Sequence, residues 1–212
     1  MHRAGPVFLL AVGLLAGCAE MRTPPPVSRV SAGLGVASAD PVPAMVEETA
    51  ATFADAGRSL AGRPAATARG VGQLELVSAE LRRDPRWAPL PTAVQTELRT
   101  ARLEWRSALG IRSGAEPEAV AAALGRAALA LSANDTRGAA AALDPAVFEP
   151  GGVPTVARLT APGPLPQSAI ASRVARDEMA RLASLRLGGP AAALDPDAGS
   201  LGLSVAPGLS GR

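Results

Sequence analysis

The chain is 212 residues long, enough for one domain or two small ones. Nearly half of it is apolar (48%) but only 2% is aromatic, and much of the apolar content is alanine. Thin core layers are therefore expected, since buried area stabilises at only about 25 cal/mol per Å² and an Ala side chain has little of it. All 21 basic residues are arginine, set against 19 acids; a balance this close to neutral excludes a general nucleic-acid binder and gives no strong attraction to a membrane through charge alone.

The chain opens with a polar, positive head, His2-Arg3, followed by the apolar run Val7 to Leu15 and the small residues Ala16-Gly17. The run is too short to cross a bilayer, which takes about 20 apolar residues, and it has the length and flanks of a removable secretion signal. Leu15-Ala16-Gly17-Cys18 resembles the lipobox of bacterial lipoproteins. That resemblance implies cleavage between Gly17 and Cys18, a thioether from the Cys18 sulfur to diacylglycerol, and acylation of the freed amine. Two or more chains anchor stably where one binds only marginally. The resemblance also implies a cell-envelope address. Ala19, where an Asp would favour retention in the inner membrane, leans toward the periplasmic face of the outer membrane if the host has two membranes. Removing residues 1–17 takes Arg3 and no acid, leaving 20 arginines against 19 acids.

Residues 18–42 read as the anchor and a flexible tether, with Pro24-Pro25-Pro26 favouring polyproline II. A first helix is expected from Ala44 to Leu60, with Val46, Ala50, Phe53, Gly57 and Leu60 on one face. A second, about 65–83, carries Val71, Leu74, Val77 and Leu81 and ends at Asp84-Pro85. The third is the clearest. Thr92 to Gln95 fits a capping box, Val94, Leu98, Ala101, Trp105 and Leu109 form one stripe, and Gly110 stands where a C-terminal cap belongs. A fourth helix runs from Pro117 to about Ser132 through Val120, Leu124, Ala127 and Leu131. Asn134 or Asp135 caps a short fifth ending near Leu143.

Residues 144–167 hold six prolines and read as an irregular connection. Ser168 is placed to cap a sixth helix reaching about Leu187, with Ile170, Val174, Leu182 and Leu185 as its stripe. Residues 188–212 lack periodicity and read as a disordered tail. No alternating β-branched run predicts a sheet. The expectation is an all-α domain over 43–187, a small bundle of about five to six helices. Ala-Ala-Ala-Leu-Asp-Pro occurs at 140–145 and again at 191–196, but no 34-residue period accompanies it.

The chemistry is defined largely by what is missing. The only His is His2, there is no Lys or Tyr, and the only Cys is Cys18. A mature chain acylated at Cys18 can build neither a Ser–His–Asp, Cys–His nor Ser–Lys device, nor a zinc site of His or Cys ligands. No Gly-rich phosphate loop is present. The expectation is a non-enzymatic binding or scaffolding protein without cofactor or metal. It would be held at the membrane by the lipid on Cys18 and engage an envelope protein or an anionic envelope component, not nucleic acid. The alternative is a carboxylate-dependent cell-wall glycan hydrolase, which needs two acids facing a cleft about 5–10 Å apart.

Three features bear on a contact surface. Arg99, Arg102 and Arg106 share one flank of the third helix, preceded by Arg82, Arg83 and Arg86. They face either an anionic partner or simply solvent, balanced by Glu97 and Glu104 on the opposite flank. Trp87, between prolines 85 and 89, is either an interface anchor or a lid folded onto the helices. Glu178 lies near the middle of the sixth helix's stripe, as either a buried functional carboxylate or an edge residue paired with an Arg.

Overall fold

The structure, a computed structural model, describes Val30 and residues 33–187. The signal, Gly17 and Cys18, most of the tether, and the tail from 188 onward lie outside the described residues. Seven α-helices follow in order: α1 Pro41–Thr52, α2 Pro64–Arg83, α3 Thr92–Leu109, α4 Pro117–Ser132, α5 Thr136–Ala142, α6 Gly152–Thr160 and α7 Pro166–Leu187. Short 3₁₀ turns, Arg58–Leu60 and Pro85–Trp87, precede and follow α2. No strand occurs among the described residues, and Ile111 and Phe148 form an isolated antiparallel bridge. The fold is thus all-α, with one helix beyond the expected range. No helix among the described residues is long and apolar enough to cross a membrane.

The organising element is α2. Thirteen of its 20 residues are buried, including Gln73, Glu75 and Ser78, because α1, α3, α4 and α6 all pack against it. Its glycines make this possible. A Cβ at Gly72 would lie 2.5 Å from Leu34 Cδ2 and 3.4 Å from Leu124 Cβ, so a hydrogen there gives Leu34, fully buried, its place between α2 and α4. The packed unit therefore reaches back to Leu34 and Val36, and the expected tether boundary at residue 42 falls inside the domain. Around this centre α3 lies along α7, α7 along α1, and α5 links α4 to α6.

The third helix matches its expected stripe: Val94, Leu98, Ala101, Trp105 and Leu109 are all buried. It ends at Gly110, whose φ of 71° is the left-handed conformation of a C-terminal cap. The capping box does not form. Thr92 is already helical, Pro91 is the cap residue with no side-chain bond, and the Gln95 amide donates instead to the Leu81 carbonyl at 2.8 Å.

The first helix stops at Thr52, short of Leu60, and the chain then turns through Ala56 and Gly57, both at positive φ, into the 3₁₀ turn Arg58–Leu60. Part of the expected irregular stretch is α6. Its Pro154 falls in the first turn, where the missing N–H has no intrahelical partner to lose, and Thr155, Val156 and Leu159 are buried.

The buried face of α7 is not Ile170 and Leu185, which are 36% and 60% exposed, but Ser168, Ala171, Ser172, Ala175 and Leu182. Of the expected stripe Leu182 is buried and Val174 partly buried, and the small side chains let α7 approach α3 and α1 closely. Its N-terminus is capped from α3: Glu104 accepts from the backbone N–H of Gln167 and Ser168 at 2.9 and 2.8 Å, and from the Ser168 hydroxyl. At α5, Asp135 accepts from the Gly138 N–H at 2.8 Å. Asp135→Ala is expected to cost about 1 kcal/mol, read as a lower urea midpoint at unchanged slope.

Candidate functional site

Glu75 stands at the middle of α2 with no exposed surface. An isolated carboxylate there would be very costly, and α3 supplies its partners. Arg106 grips it with both ends of its fork, Nε to Oε1 at 2.7 Å and Nη2 to Oε2 at 2.9 Å. The Trp105 indole N–H donates to Oε1 at 2.7 Å. The remaining Arg106 N–H groups reach the carbonyls of Arg112, Ser113 and Ala115 at 2.9–3.1 Å. One guanidinium with all five donors engaged therefore fastens the α3–α4 loop to the central helix.

Arg102 lies one turn earlier, its side chain 18% exposed, and reaches Glu75 Oε2 through Nε at 3.4 Å. Burial pushes its guanidinium below the ordinary arginine value. Glu75 pulls it back up, while Arg106 and Arg82 push in the same direction as burial. Glu75 carries one negative charge, already shared with a bidentate partner, and Arg102 receives what is left. Above this pair opens a groove of about 490 Å³ lined by Arg82, Arg99, Arg102, Leu103, Arg106 and Ile111, with Ser107 and Ser113 at its margin. Arg82 and Arg99 are exposed; Arg99 donates to the Thr96 hydroxyl at 3.3 Å.

The expected contact surface is thus divided. Arg82, Arg99 and Arg102 do come together. Arg106 joins them in space but is only 6% exposed and has spent its donors internally, so it is a structural bolt and not a surface residue. Arg83 turns away to pair with Glu80 and, across to α4, with Glu118. Arg86 pairs with Asp84 at 2.7 Å and Asp40 at 3.0 Å, and its guanidinium lies 5.3 Å from the Trp87 ring centroid. Trp87 is 6% exposed and folds in as a lid.

A second groove of about 390 Å³ runs beside Trp87, with Asp40, Glu47 and Met179 among its walls. Glu178 takes the plain role: its side chain is 28% exposed and it accepts from Arg181 Nε at 2.6 Å. Glu104, expected to balance the arginines, caps α7 instead.

Sequence reasoning missed Glu75. Its signal was present, since Leu74-Glu75-Leu76-Val77 places one acid within an apolar run. No group of three or more His, Cys, Asp or Glu able to hold a metal ion occurs among the described residues. Comparison with family models, curated proteins and solved structures finds no match to this chain.

Proposed function

We propose that this chain is a lipid-anchored protein of the cell envelope, on the periplasmic face of the outer membrane where the host has two membranes, whose helical domain binds an anionic envelope component without catalysing a reaction. The observation that carries the binding reading is the groove on α3, where Arg82, Arg99 and Arg102 gather above the buried Glu75. Guanidinium groups held in place are suited to carboxylate or phosphate partners. The address rests on Leu15-Ala16-Gly17-Cys18.

Two experiments test the parts separately. Cys18→Ser is expected to leave the signal uncut and residue 18 without lipid, read by mass as loss of the cleaved, acylated form; cleavage and acyl mass unchanged from the native chain would overturn the address. For binding, a photo-crosslinker is placed at Leu103, 73% exposed beside the groove. An adduct formed in intact cells is expected to disappear in an Arg82→Glu, Arg99→Glu background. No adduct, or one indifferent to the charge reversal, would overturn the binding reading.

A second reading, a carboxylate-dependent glycan hydrolase, is favoured by one observation: Asp40 and Glu47 both line the groove beside Trp87. Against it, Asp40 is engaged by Arg86. Release of muropeptides by the purified protein, abolished by Glu47→Gln, would support it.

A further inference from the structure

We propose that the α3 groove is a site for an amphiphilic phosphate, a phosphate ester whose headgroup sits among Arg82, Arg99 and Arg102 and whose alkyl chain lies along Leu103 and Ile111. The proposal rests on the reading of this groove as an anion site and adds the chemical class of its ligand.

The headgroup half follows from Arg102. Its side chain is 18% exposed and lines the groove, and its contact with Glu75, at 3.4 Å from Nε, is long. Arg106 holds both oxygens of that carboxylate at 2.7 and 2.9 Å, so Arg102 shares a charge that is already answered. A guanidinium carries five N–H donors, and this one has a single long contact among the described residues and opens on the groove, where an arriving acceptor meets it. Burial and the two neighbouring cations disfavour the charged form of Arg102, and an arriving anion relieves both effects.

Arg82 and Arg99 make no ion pair among the described residues, and they stand on either side in the same groove. A phosphate offers more oxygens than a carboxylate, which lets it bridge two or three guanidinium groups at once. Along α3, Arg99 to Arg102 spans about 5 Å at 1.5 Å per residue, the scale of a headgroup rather than of a polyanion.

The alkyl half follows from what the arginines surround. Leu103 is 73% exposed on α3, between Arg102 and Arg106 in sequence, and Ile111 closes the same groove while itself only 7% exposed. Scattered exposed leucines are ordinary. A leucine set into a row of guanidinium groups, in a groove of about 490 Å³, is a place where one ligand meets positive charge and apolar surface together. That volume lies in the range of small-molecule sites, about 300–1,000 Å³, and is far larger than a bare phosphate requires.

The test titrates residues 18–212 made without the signal and carrying Cys18→Ser, which removes the lipid and the apolar leader without touching the described residues. The probes are octyl phosphate below its micelle concentration, inorganic phosphate and hexaglutamate, followed by calorimetry. Octyl phosphate is expected to bind at least tenfold more tightly than inorganic phosphate. Leu103→Ser is expected to erase that advantage and leave inorganic phosphate unchanged. Arg102→Met is expected to weaken octyl phosphate at least tenfold, and the surface variant Arg99→Gln, which leaves the Glu75 cluster intact, by several-fold. Equal affinity for the two phosphates overturns the amphiphile and leaves a simple anion site. Hexaglutamate binding more tightly than octyl phosphate overturns it in favour of an acidic protein partner. Binding of none of the three overturns this inference and the anion-site reading together.

Discussion

Glu75→Ala is expected to lower the unfolding free energy by about 3–5 kcal/mol, the cost of breaking a buried ion pair from one side. The alanine leaves Arg106 charged at 6% exposure and the Trp105 indole N–H without an acceptor at 0%. It also strips Arg102 of its only counter-charge within 4 Å among the described residues. Arg106→Met is expected to cost a similar amount by orphaning the carboxylate and freeing the carbonyls of Arg112, Ser113 and Ala115.

Glu75→Leu, Arg106→Met and the double variant carrying both separate the pair from its surroundings. Apolar replacement of a buried pair is often neutral, so the double variant should lose far less than the sum of the singles, a coupling of about 2 kcal/mol or more. Urea unfolding followed by tryptophan fluorescence measures all three, and Trp105 reports directly on the cluster. A loss below about 1 kcal/mol in Glu75→Ala would mean that the cluster does not hold α2 and α3 together.

That cluster also shows why the sequence was readable in some places and not in others. α3 has one face packed and the other wet, so Val94, Leu98, Ala101, Trp105 and Leu109 announce themselves by spacing alone. α2 is packed on nearly every side. A helix buried all round has no outer face to contrast with, and Gly70, Gly72, Gln73 and Glu75, outside the expected stripe, are close-approach and pairing positions. α7 was legible only in part, for the opposite reason. Leu182 of its expected stripe is buried, but the rest of its buried face is Ser and Ala, and hydrophobicity locates large side chains rather than close contacts.

The arginine groove was half legible. Helical spacing brought Arg99, Arg102 and Arg106 to one flank, but nothing local showed that Arg106 would turn inward, because its partner lies 31 residues away on another helix. Trp87 was similar: prolines on both sides framed it, and only the packing of the fold shows that it closes inward.

Gly152→Ala is expected to cost about 3 kcal/mol, at the upper end of ordinary overpacking, although it adds only one methyl group. Gly152 begins α6 where the chain crosses α5, and a Cβ there would overlap the Ala140 carbonyl oxygen and lie 2.6 Å from its carbon and 2.9 Å from its Cα. These are backbone atoms, so no side chain can swing aside; α5 and α6 must separate. The buried residues Ala139, Leu143, Phe148 and Leu159 would lose packing as they do. Gly114→Ala is the control. A Cβ there meets nothing within 4 Å, and its φ is not in the left-handed region, so the change should be neutral or stabilise by a few tenths of a kcal/mol through the unfolded chain. Far-UV circular dichroism against urea reads both. Equal midpoints for the two variants would show that α5 and α6 do not meet at this crossing, and that the α5–α6 hairpin packs against α2 and α4 in some other way.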